Sequence, residues 1–113
     1  MRHWALILSF ASFLSVCFAA QSYAAPYEMA MVPPAATYGP SYFRIDVETG
    51  EVMSVSGGQY SRTTDATPLP PGDYHLFPQV DQKGTWWLYR MDSKTGRTWF
   101  LLNNAWSEVS PPK

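Results

Sequence analysis

The chain has 113 residues, 46% of them hydrophobic and 16% aromatic, which is enough apolar surface to build a core in a small domain. Eight Lys/Arg stand against nine Asp/Glu for a net charge of −1, with no run of either sign, so neither nucleic acid nor an anionic membrane surface is an expected partner. Cys17 is the only cysteine and there are two histidines, which argues against a disulfide framework and against a zinc centre.

Arg2 and His3 precede a nearly continuous apolar run, Trp4 to Ala20, and Ser22 and Ala24 then place small residues where a signal peptidase reads them. Residues 1–24 are therefore expected to be a signal peptide, and the protein periplasmic or secreted, with no membrane span after cleavage. The alternatives are an uncleaved anchor, or a lipid on Cys17 within Leu14-Ser15-Val16-Cys17. Residues 25–40 form a Pro-rich segment in which Met29 to Val32 reads as a short strand ending at Pro33. In Ser41 to Val47, Phe43, Ile45 and Val47 alternate with Tyr42, Arg44 and Asp46, the period of a half-buried strand with the former set inward. Glu51 to Ser56 is its partner, the Gly57-Gly58 turn follows, and a short strand occupies Gln59 to Arg62. Pro68-Leu69-Pro70-Pro71-Gly72 reverses the chain. Tyr74 to Phe77 reads as a strand stopped by Pro78, then come Thr85 to Met91, Arg97 to Leu102 and Ala105 to Val109, joined by turns at Asp81–Gly84, Asp92–Gly96 and Asn103-Asn104.

The second half repeats the first. Tyr42 to Ser61 recurs as Leu88 to Ser107, offset by 46 residues, with Arg44 on Arg90, Asp46 on Asp92, Thr49 on Thr95, Gly50 on Gly96 and Tyr60 on Trp106. A period of this size is that of one four-stranded sheet unit. The expected fold is all-β: a tandem β-meander domain over 41–113, with unit one at about 41–62 and unit two at about 74–109. Matching Met29–Val32 with Tyr74–Phe77 completes four strands in each unit, about eight in total. The two meanders either pack as a small sandwich or barrel, or stand as two propeller-like blades that need oligomerisation to close a ring.

The turns Asp46-Val47-Glu48-Thr49-Gly50 and Asp92-Ser93-Lys94-Thr95-Gly96 read as structural, with Asp and Thr accepting backbone N–H groups and Gly taking the left-handed position. Lys94 in the second copy argues against a paired calcium site. Tyr89 to Trp99, with Trp106 after a short turn, resembles the hairpin of small, uncharacterised bacterial envelope proteins, whose pattern is Asp-x-x-Thr-Gly-x-x-Trp followed by a terminal Trp. It is also similar to blades of quinoprotein-type propellers, from which it departs in placing Trp99 one position early and Met53 at the matching site of unit one. In length and repeat layout the chain is similar to small two-blade bacterial lectins. These resemblances imply an envelope location and bring no catalytic residue with them.

His75 is the one histidine beyond the signal and reads as structural. No nucleophile elbow or phosphate-cradling loop is present, so no catalytic residue, metal or cofactor is expected, and an enzyme is not. The aromatic residues Trp86, Trp99, Trp106 and Tyr60 are the candidate binding residues, for an envelope protein or a glycan, with a homo-oligomer as a further expectation. Trp86 and Trp87 point to opposite faces of their strand, and the repeat, by aligning Tyr89 and Met91 with Phe43 and Ile45, predicts Trp87 inward and Trp86 outward. The function expected is a non-catalytic binding protein, and the alternative is a lectin-like oligomer of two-blade chains.

Overall fold

Period-two runs separated by turn-forming pairs organise the described residues into nine strands and no helix. They are β1 (Tyr27–Val32), β2 (Ser41–Asp46), β3 (Val52–Ser56), β4 (Gln59–Arg62), β5 (Thr64–Asp65), β6 (Tyr74–Val80), β7 (Trp86–Asp92), β8 (Thr98–Leu102) and β9 (Ala105–Glu108). The computed structural model describes residues 26–34 and 39–112, so the expected signal peptide and Cys17 lie outside the described residues. Among the described residues no helix is long and apolar enough to cross a membrane.

Two sheets form, and neither closes into a barrel. Sheet one is an antiparallel meander, β1-β2-β3-β4. Sheet two runs β5-β9-β8-β7-β6, antiparallel except where β5 joins β9 in parallel. The internal repeat is therefore a repeat of sheets. The two sheets bury their facing sides as a small sandwich, and Val32, Phe43, Ile45 and Val52 of sheet one share one core with Tyr74, Leu88, Trp99, Leu101 and Trp106 of sheet two.

The turns are built alike in both units. Asp46 Oδ1 accepts the N–H groups of Glu48 (2.9 Å) and Thr49 (3.2 Å), while Gly50 N–H returns to the Asp46 carbonyl (2.8 Å). In the second copy Asp92 accepts Lys94 N–H (3.1 Å) and the Thr95 hydroxyl (2.9 Å), and Gly96 N–H returns to its carbonyl (2.7 Å). Gly50 and Gly96 sit at φ +80° and +77°, the left-handed region that glycine enters at least cost. The second turns also match, Gly57-Gly58 and Asn103-Asn104 all having positive φ, as a type I′ hairpin requires.

Four expectations are corrected. The first strand spans Tyr27–Val32, two residues longer than Met29 to Val32, so six residues of the Pro-rich segment belong to sheet one. Its register pairs Glu28 with Ile45, whereas His75 pairs with Met91, so β1 maps onto β6 as Tyr27 on Tyr74 and Glu28 on His75, not as Met29 on Tyr74. Pro78 does not stop β6, which continues to Val80; β6 is an edge strand, where a missing N–H costs no ladder bond.

The fourth correction concerns facing. Sheet one buries Phe43 and Ile45, as expected, but sheet two buries Leu88, Arg90 and Asp92, the positions that align with Tyr42, Arg44 and Asp46. Trp86 is on that inner side, its ring 6.1 Å from Phe43, and Trp87 is on the outer side with Tyr89. The reason is the stacking order. The two similar sheets are stacked in the same sense, so one face of the first meets the opposite face of the second.

Candidate functional site

Each sheet carries an arginine laid across two aromatic rings, at matching positions. In sheet two, Arg90 Cζ lies 4.9 Å from the Trp99 ring centre and 4.5 Å from that of Trp106. Arg90 is fully buried and is held by Asp65 on β5, Nη2 to Oδ1 at 2.6 Å and Nη1 to Oδ2 at 3.2 Å, with a further bond from Nη1 to the Gly50 carbonyl at 3.0 Å. Trp106 Nε1 donates to the Thr63 hydroxyl at 2.8 Å, which itself donates to the Val52 carbonyl at 2.7 Å. Asp92 beside them is held below its ordinary carboxylate range by the backbone N–H of Asp73, then by Lys94 N–H and the Thr95 hydroxyl, against the opposing effect of burial. This cluster joins the sheets.

In sheet one the matching arginine, Arg44, faces outward, and of its two rings Tyr60 is the repeat counterpart of Trp106 while Tyr27 comes from β1. Arg44 Cζ lies 4.5 Å from the Tyr27 ring centre and 4.3 Å from that of Tyr60. Alternation puts Met29 and Met31 of β1, Tyr42 of β2, Met53 and Val55 of β3 and Tyr60 of β4 on that side, paired as Met31↔Tyr42↔Val55↔Tyr60 and Met29↔Arg44↔Met53↔Arg62. Tyr27, Met29, Met31, Tyr42 and Tyr60 are between 43% and 59% exposed, a contiguous apolar face that nothing in the described chain covers. At its lower end lies a groove of about 370 Å³ whose wall combines Tyr27 with Arg44, Arg62, Asp46 and Glu51.

The sequence candidates therefore separate. Tyr60 is on the open face, while Trp99 (5% exposed) and Trp106 (4%) are buried around Arg90, and Trp86 is half-buried against Phe43. The three tryptophan rings lie in the contact between the sheets, where they have Arg90 and the first sheet to pack on. Tyr27, Met29, Met31 and Tyr42, which do line the face, are not among the aromatic candidates that the sequence offers. The alternation Tyr27, Met29, Met31 was the available signal, hidden by the prolines around it.

The outer side of sheet two is a second aromatic surface. Trp87 stacks on Tyr89 with ring centres 6.4 Å apart and meets Phe100 edge-on at 6.2 Å, and Phe77 pairs with Tyr89 at the exposed edge. His75, on β6, is bracketed by Glu28 on β1 (Nδ1, 2.8 Å) and Asp73 (Nε2, 2.8 Å). Partial burial opposes its charge and is the largest single effect, but the bonds to Glu28 and Asp73 together outweigh it and hold the imidazole above its ordinary value. With both ring nitrogens engaged by carboxylates, and Ser93 donating to Asp73 instead of to the ring, His75 is an ion-pair tie between sheets. Among the described residues no three His, Cys, Asp or Glu side chains are grouped to hold a metal ion. Compared with protein-family models, curated proteins and solved structures, the chain matches none.

Proposed function

We propose that this chain is an exported, non-catalytic binding protein of the bacterial envelope, and that the outer face of sheet one is its contact surface for a protein partner. The observation that carries this reading is the uncovered lattice of Tyr27, Met29, Met31, Tyr42 and Tyr60 around Arg44. Aromatic residues, methionine and arginine are the side chains enriched where protein surfaces meet, and arginine stacked on tyrosine is already ordered before a partner arrives. Export rests on the Arg2 to Ala24 layout.

Side-chain footprinting tests the reading. Tyr27, Met29 and Tyr60 should label readily in the dilute purified protein and be protected in the intact envelope. Equal labelling in both settings would show that the face has no partner. A second reading, a glycan-binding role, is favoured by one observation: the groove beside Tyr27 sets an aromatic wall next to carboxylates and guanidinium groups, the mixture that recognises sugar rings and hydroxyls. Saccharide-dependent chemical shifts confined to Tyr27, Asp46 and Glu51 would move the assignment to that groove.

A further inference from the structure

The two outer faces have a common origin in the repeat. Through the 46-residue offset, the outer side of sheet one (Tyr42, Arg44, Val55, Tyr60) corresponds to the buried side of sheet two (Leu88, Arg90, Leu101, Trp106). The outer side of sheet two (Tyr89, Met91, Phe100) corresponds to the buried side of sheet one, where Phe43 and Ile45 lie. Inside the chain these two kinds of face are packed against each other. Outside, one of each is left that nothing among the described residues covers.

We infer that the two open faces are the halves of one interface, and that a second copy of this chain covers them head to tail. The inference rests on reading the outer face of sheet one as a binding surface, and it names the partner. The outer aromatic strip of sheet two in one copy lies on the Tyr27–Arg44–Tyr60 face of the next, repeating the contact that the first sheet makes with the second within each chain.

Two details of the turns agree with this placement. A Cβ on Gly50 would lie 2.7 Å from Leu69 and 3.1 Å from Tyr74, because the first turn is pressed onto the second sheet. Its counterpart Gly96 has nothing within 4 Å, leaving the second turn free to sit over Tyr27 and Arg44 of a neighbour as the first sits over Tyr74 and Arg90. One element is missing. Asp65, which fixes Arg90, has Pro111 at the matching place, so Arg44 gains no carboxylate from the neighbouring copy. The contact between copies is consequently weaker than the one within a chain, and the association is reversible. A contact between two different faces propagates, and closes into a ring where its rotation allows.

The test uses the mature full chain with one lysine placed on either face, at positions exposed enough for the fold to tolerate it. Tyr42→Lys blocks the first sheet and Phe77→Lys the second, their native side chains being 43% and 44% exposed. Met29→Lys and Leu102→Lys, at 59% and 55%, are the replacements if either variant melts below the parent. The parent should be oligomeric by native mass spectrometry and sedimentation across the micromolar range. Each variant alone should need about tenfold or more higher concentration to associate. The decisive experiment is the mixture: each variant retains the face the other lacks, so together they should form a one-to-one heterodimer and stop there. A monomeric parent, a mixture that stays monomeric, or dissociation by the sheet-one variant alone would each overturn head-to-tail association. Protection of Tyr60 in the envelope combined with a monomeric parent would leave the binding surface standing and assign it to a different partner.

Discussion

Asp65→Ala is the most informative single change, because it unpairs a charge that cannot leave the core. Arg90 has no solvent exposure, its Nε has no hydrogen-bond partner, and without Asp65 it would keep only the Gly50 carbonyl and the faces of Trp99 and Trp106. Breaking a buried ion pair in this way costs about 3–5 kcal/mol. The Asp65 side chain is 24% exposed, so water entering its place compensates in part, and the lower end, about 3 kcal/mol, is expected. For a domain of this size that corresponds to a fall in Tm of roughly 12–24 °C by scanning calorimetry or circular dichroism. Adding Arg90→Met should recover stability, since an unbranched apolar chain fills the slot between the indoles without a charge to solvate. The double variant should melt above Asp65→Ala although it carries one more substitution. That reversal of order is the refutable point: a double variant as unstable as the single one, or a Tm loss below about 4 °C for Asp65→Ala, would mean that Arg90 is not an enclosed cation.

Other perturbations test neighbouring parts of the argument by thermal melts. Gly50→Ala and Gly96→Ala impose the same backbone strain, at φ +80° and +77°, but only the first also meets Leu69 and Tyr74, so Gly50→Ala should be the more destabilising and Gly96→Ala limited to about 1–2 kcal/mol; equal losses would refute the close packing of the first turn. Trp86→Ala should cost about 3 kcal/mol or more through its contact with Phe43, and Trp87→Ala clearly less; the reverse order would exchange the two faces of β7. The His75 tie should depend on pH. Because its pKa is raised in the fold, its stabilisation is complete below the ordinary value of 6.5 and is lost as pH rises through the higher folded value, so the Tm gap between parent and His75→Gln should shrink on going from mildly acidic to alkaline buffer. A gap that widens with pH would contradict the double ion pair.

Most strands and all four paired turn positions were legible, because hairpin chemistry is local. Asp46 to Gly50 and Asp92 to Gly96 contain within five residues the acceptors and the glycine that the turn needs. Facing was not legible, because a repeat states that two sheets are alike and leaves open which sides meet. The repeat alignment of Tyr89 and Met91 with Phe43 and Ile45 predicts those two inward, yet Arg90 and Asp92 are the buried pair because their partners, Asp65 and the N–H of Asp73, arrive from distant segments. The same long-range origin explains why the candidate surface moved from the tryptophans to Tyr27, Met29 and Tyr42. Bulk and aromaticity predict contact, but Trp99 and Trp106 stack on an arginine that Asp65 holds inside the chain, whereas Tyr27 and Tyr60 stack on one that faces outward.

The Thr63 hydroxyl, which accepts from Trp106 and donates to Val52, sits in the connector and bonds both sheets at once. Thr64 and Asp65 beside it complete the far edge of sheet two and neutralise its core cation. The stretch between the repeats thus belongs structurally to the second sheet while being tethered to the first. A cut at the repeat boundary does not release two small folding units: each half would lose groups that only the other, or the join, supplies. Duplication in the sequence has produced a single cooperative block in which the linker is the most shared component.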